Sequence, residues 1–96
     1  MKIYDTVIFS LGDERYKLRW PLLVNIEERD DETIATIPEF DLYASAVSPS
    51  LVLSSLKAEI VSTYERLTDL GPEKLGGFML QCFEAMRTVI QETASG

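Results

Sequence analysis

Ninety-six residues with a net charge of −7, 46% apolar and 26% charged, fit one globular domain with a modest core. No apolar run approaches the ~20 residues of a membrane span, and the absence of histidine removes Ser–His and Cys–His nucleophile pairs and histidine metal ligands. Cys82 is the only cysteine, which excludes an intrachain disulfide and, with no secretory stretch in residues 1–5, leads to the expectation of a cytoplasmic protein.

Residues 3–11 alternate, with Ile3, Asp5, Val7, Phe9 and Leu11 on one side and Tyr4, Thr6, Ile8 and Ser10 on the other, which predicts a strand. Gly12-Asp13-Glu14 supplies a turn, after which Tyr16, Leu18 and Trp20 alternate with Lys17 and Arg19. An N-terminal hairpin over residues 1–20 is therefore expected. Pro21 marks a strand end or a bulge. Residues 22–28 form the third strand, with Leu22, Val24 and Ile26 on one face, and a polar turn at 29–32 leads to a fourth over 33–37. Ile34 and Ile37 fall on opposite faces, so both sides of the sheet should be partly covered there. Pro38 ends that strand, and Glu39-Phe40-Asp41 leads to a short fifth near 42–45.

Ser48-Pro49 reads as a helix start, with serine at the N-cap and proline at the first helical position. Leu53, Leu56, Ile60, Tyr64 and Leu67 recur at spacings of three and four, a stripe suited to one sheet face. Gly71-Pro72 stops the helix, residues 72–75 allow one further turn, and Gly76-Gly77 interrupts. A last helix is expected over about 78–92, with fraying over 93–96. Its apolar set of Phe78, Met79, Leu80, Cys82, Phe83, Met86, Val89 and Ile90 exceeds one narrow stripe. Either it packs on the second face of the sheet or it meets a partner, and the expectation is a dimer or tetramer with Phe83, Met86 and Ile90 at or near the interface. The fold class is α+β: one domain over 1–96, a small antiparallel sheet of four to five strands with one main helix packed on it. Residues 1–20 are the hairpin, 22–70 the core strands and main helix, and 72–93 the C-terminal helix.

Charge is unevenly placed. Residues 27–41 hold seven acids, Glu27, Glu28, Asp30, Asp31, Glu32, Glu39 and Asp41, against Arg29 alone. Such a patch attracts a basic protein and repels phosphate backbones, so a protein partner is expected and nucleic acid is not. The bland reading of the same residues is a solvated hairpin tip. Phosphate-cradling glycine motifs are absent, because residues 71–77 lack the GK[ST] ending of a P-loop. Glu39, Asp41 and Glu59 are oxygen donors that Mg²⁺ would accept, which keeps a nuclease-like site as an alternative. Cys82, on an apolar helical face, reads as an inert thiol. No cofactor is expected.

The stretch Asp31-Glu32-Thr33-Ile34-Ala35-Thr36-Ile37-Pro38-Glu39-Phe40, followed by residues 43–56, resembles the HicB-like antitoxin family. That family shows a hairpin with an acidic turn, a strand ending in a proline-acid step, a short strand and a helix with a Ser/Thr cap. The resemblance spans about 22–67 and implies a degraded RNase H-like unit. This chain departs from the family at Phe40-Asp41-Leu42-Tyr43, where members carry Leu-Pro-Gly-Cys, and at Val52-Leu53, where they often carry Glu-Ala. Full antitoxins append a DNA-binding module, whereas the last segment here is a helix with one base, Arg87. The resemblance thus implies a short subgroup lacking that module. It also implies a non-enzymatic interaction domain that binds copies of itself and neutralises a small basic RNase toxin. The alternatives are a residual RNase H-like metal-dependent nuclease and an orphan ligand-binding or scaffold homo-oligomer.

Overall fold

Two strands, β3 (Leu22–Glu28) and β4 (Thr33–Ile37), make the hairpin on which the sheet is built. Around them lie β1 (Lys2–Ile8), β2 (Tyr16–Leu18), β5 (Leu42–Ala46), α1 (Pro49–Leu70), α2 (Gly77–Val89) and β6 (Ile90–Glu92), with a 3-10 turn at Pro72–Lys74. The structure, a computed structural model, describes residues 1–93, so the expectation for 94–96 lies outside the described residues. The expected α+β class is observed: a four-stranded antiparallel sheet, ordered β1-β3-β4-β5, with α1 packed on one face.

Alternation explains the sheet. Leu22, Val24 and Ile26 of β3 and Thr33, Ala35 and Ile37 of β4 all point to the helix side and are buried. From α1, Val52, Leu56, Ile60, Thr63, Tyr64 and Leu67 meet them. Each large apolar side chain fully removed from water there stabilises the fold by about 1.5–3 kcal/mol. Val52 takes the central place expected for Leu53, which sits half-buried on the flank.

The helix ends follow their sequence signals. Ser48 Oγ accepts from Leu51 N at 3.4 Å and Pro49 opens the first turn. At the other end Gly71 adopts φ +88° while its N–H donates to the Leu67 carbonyl at 3.1 Å. A Cβ at Gly71 would meet only the movable Glu73 carboxylate, so it is the backbone, at positive φ, that requires glycine.

The N-terminal hairpin expected over 1–20 does not form. β1 pairs along its whole length with β3, from Ile8↔Leu22 to Lys2↔Glu28, and β2 pairs instead with β6. Seven paired residues outweigh three, and the intervening loop has its own lock. Asp13 Oδ1 accepts from Arg15 N at 2.9 Å, Tyr16 N donates to the Asp13 carbonyl, and Leu11 is buried. That turn swings Tyr16 against Tyr64, edge to face at 5.6 Å.

The last helix is also shorter than expected. It ends at Val89, and the β-branched Ile90 begins β6, registered Tyr16↔Glu92 and Leu18↔Ile90. Thr93, expected to fray, is tied down: its N–H donates to the Arg15 carbonyl at 2.9 Å and its hydroxyl to the Glu14 carbonyl at 2.8 Å.

Phe83, Met86 and Ile90, expected at an oligomer interface, are instead buried in the chain's own core. Phe83 packs on Tyr64 with ring centroids 6.0 Å apart. The apolar excess of α2 is absorbed in part by α1 and the small β2–β6 sheet, while Phe78 and Met79 stay exposed. It does not cross to the far side of the large sheet, which stays open, so the two-sided covering expected at β4 is not found. Layer count agrees with this. The molecule measures 42 × 33 × 19 Å, and its thinnest dimension holds one sheet and one helix layer.

Candidate functional site

A four-residue connection, 29–32, closes the β3–β4 hairpin, with Arg29 N donating to the Glu32 carbonyl at 2.7 Å. The tip is short because Glu28↔Thr33 is the last ladder pair, which crowds five carboxylates into six consecutive residues. Their environments differ. Glu27 points to the open face and accepts from Arg29 Nε at 2.6 Å. Glu28 points to the helix side opposite Lys2, and its carboxylate is the main reason the nearby Tyr4 hydroxyl titrates above its ordinary value. Asp30 and Asp31 are exposed and Glu32 is half-buried. None of the three has an ion-pair partner among the described residues.

Glu39 and Asp41 do not belong to this tip. They lie in the β4–β5 turn at the opposite end of β4, so the seven acids counted together in the sequence divide between two ends of the sheet. In that second turn Phe40 N donates to the Ile37 carbonyl and Asp41 N to the Pro38 carbonyl, both at 3.3 Å. Asp41 takes a left-handed φ of +53°, which aspartate tolerates better than most residues. Phe40 is buried, anchoring the turn, and both acids face water.

Glu59 is exposed on α1 and accepts from the Thr63 hydroxyl at 3.3 Å. It does not assemble with Glu39 and Asp41. Among the described residues no three His, Cys, Asp or Glu side chains are placed to hold a metal ion. No family model matches this chain, nor does any curated protein or solved structure. The case for a site therefore rests on geometry and charge.

Two other features are chemically quieter. An open depression between the loop after β1 and α1 is lined by Asp13, Lys57 and Glu65, but Asp13 and Glu65 already hold Arg15 at 2.8 and 3.0 Å. A cleft of about 150 Å³ lies between the β4–β5 turn, α1 and α2, lined by Phe40, Phe78, Met79 and Cys82 with Arg66 beside them. Burial, then the charge of Asp41, raise the Cys82 thiol above its ordinary pKa. A thiol held protonated is a poor nucleophile.

Sequence reasoning missed the open sheet face. Its signal was present: in β1 the odd-numbered Ile3 and Val7 are as apolar as the even-numbered Tyr4 and Ile8, where a half-wet strand would show polar residues on one side. It also missed the pairing of β2 with β6, for which three-residue strands offer no local signal. Among the described residues no helix is long and apolar enough to cross a membrane.

Proposed function

We propose that this chain is a non-enzymatic protein-interaction domain of the HicB-like kind, which receives a small basic protein on the tip of the β3–β4 hairpin. On the antitoxin reading, that protein is an RNase toxin. The observation that carries the proposal is the tip itself, where Asp30, Asp31 and Glu32 stand without a paired cation among the described residues. Unpaired charge on this hairpin has no internal salt bridge to break before binding, and it steers a basic partner by long-range attraction. The reading is supported by β4 ending before Pro38 and by the Ser48 cap of α1, the local features on which the resemblance was drawn.

The test is association kinetics with the small basic protein encoded next to this chain's gene. The on-rate should fall about tenfold or more between low and physiological salt, because exposed charges are screened beyond ~8 Å there. Neutralising the tip with Asp30→Asn and Asp31→Asn should slow association while leaving the melting temperature in place. A salt-insensitive on-rate, an unchanged rate in the double variant, or a neighbouring gene encoding no such protein would each count against the reading.

A further inference from the structure

We propose that the cleft between the β4–β5 turn, α1 and α2 binds a free α-amino acid whose side chain is apolar and of leucine or phenylalanine size. The proposal goes beyond the partner assigned to the acidic tip, which lies at the other end of β4, and does not depend on it.

Shape sets the apolar half of the ligand. Phe40, Leu67 and Met86 make a buried floor that the core itself holds in place. Phe78 and Met79 also line the cleft yet stay 63% and 44% exposed, so a side chain seated against them removes apolar surface from water. The space is about 150 Å³, and an apolar cavity of that size accepts a benzene ring. Thr63 is buried, and its hydroxyl already donates to Glu59 at 3.3 Å. The floor therefore offers a polar group no partner, and an apolar one enters in preference.

Charge sets the other half. Arg66 from α1 and Asp41 from the turn line the same cleft, both exposed, and neither is ion-paired with the other or with any described residue. Asp41 stands close enough to Cys82 for its charge to act on the thiol. The turn keeps it there, because Phe40 is buried and the Asp41 N–H donates to the Pro38 carbonyl at 3.3 Å. Glu39, the other acid of that turn, is exposed and does not line the cleft. A ligand with a carboxylate alone would be repelled by Asp41, and one with an amine alone by Arg66. A zwitterion answers both, its carboxylate on the guanidinium and its ammonium on the aspartate. In an α-amino acid these two charges and the apolar side chain branch from one carbon, which matches a small cleft with both charges on its lining.

Cys82, the only cysteine, lines the cleft and serves as reporter. Its alkylation by iodoacetamide, read by mass spectrometry as the ratio of rates without and with ligand, should slow roughly tenfold or more in saturating leucine or phenylalanine. Both amino acids should also raise the melting temperature. Leucinamide and N-acetyl-leucine, each lacking one charge, should need about tenfold higher concentrations, and glycine should not protect. Arg66→Gln should weaken leucine about tenfold and leave leucinamide unchanged. Asp41→Asn, which keeps a residue tolerant of positive φ, should weaken leucine and leave N-acetyl-leucine unchanged. Absence of protection by millimolar leucine and phenylalanine, equal protection by leucine and its two blocked forms, or leucine binding untouched by both variants would overturn the proposal.

Discussion

Leu56 has no exposed surface and sits where α1 crosses the sheet, so its side chain reports on the main core directly. Leu56→Ala should lower stability by roughly 2–5 kcal/mol in a urea melt, the usual sum of lost transfer energy and residual cavity. A change well below 1 kcal/mol would mean that α1 is seated on another face. Near the β1–β2 loop, two groups titrate away from their ordinary range. The Arg15 guanidinium, hydrogen-bonded to Asp13, holds that carboxyl down to about 2. Burial, then the Glu65 carboxylate that accepts from its hydroxyl at 2.8 Å, push Tyr16 up to about 12. The signs are opposite. A depressed carboxyl contributes stability above its unfolded pKa and loses it as pH falls through about 2, while a raised phenol contributes below 10 and loses it as pH rises through about 12. Asp13→Asn should therefore flatten only the acid limb of a stability–pH curve and Tyr16→Phe only the alkaline limb. A carboxyl resonance for Asp13 titrating near 4 would refute the first.

Elements were legible in the sequence where one local rule decided them. Ser48-Pro49 and Gly71-Pro72 bracket α1 to the residue, because a cap and a terminator act on their neighbours alone. β3, β4 and β5 came through for a related reason: their connections are four residues long and leave no choice of partner. The N-terminal hairpin failed because β1 had two partners within reach, and the longer ladder with β3 won. Gly71 offers a test of the terminator. Gly71→Ala should cost about 1 kcal/mol, since the backbone stays at positive φ while the Glu73 carboxylate can move aside. Pairing it with Glu73→Ala should recover little, which two melting curves would show.

On the scale of the whole molecule, the apolar surplus of α2 was visible in the sequence but its destination was not. Phe83, Met86 and Ile90 find their partners in Tyr64 and in β2, some twenty to seventy residues away along the chain. The acidic patch misled in a similar way, because nearness in sequence from Glu27 to Asp41 hides the length of β4 between the two groups. The β2–β6 pair has a consequence in time. It joins residues more than seventy apart, against four in the β3–β4 turn, and about four doublings of loop length cost about 2.5 kcal/mol more to close. The sheet and α1 should thus form first and the pair last. Leu18→Ala and Ile90→Ala are expected to speed unfolding in stopped-flow experiments and leave the refolding rate nearly untouched, whereas Val24→Ala should slow refolding. During synthesis β2 emerges more than seventy residues ahead of its partner β6, so it must wait, its edge bare, until residues 90–92 have been made.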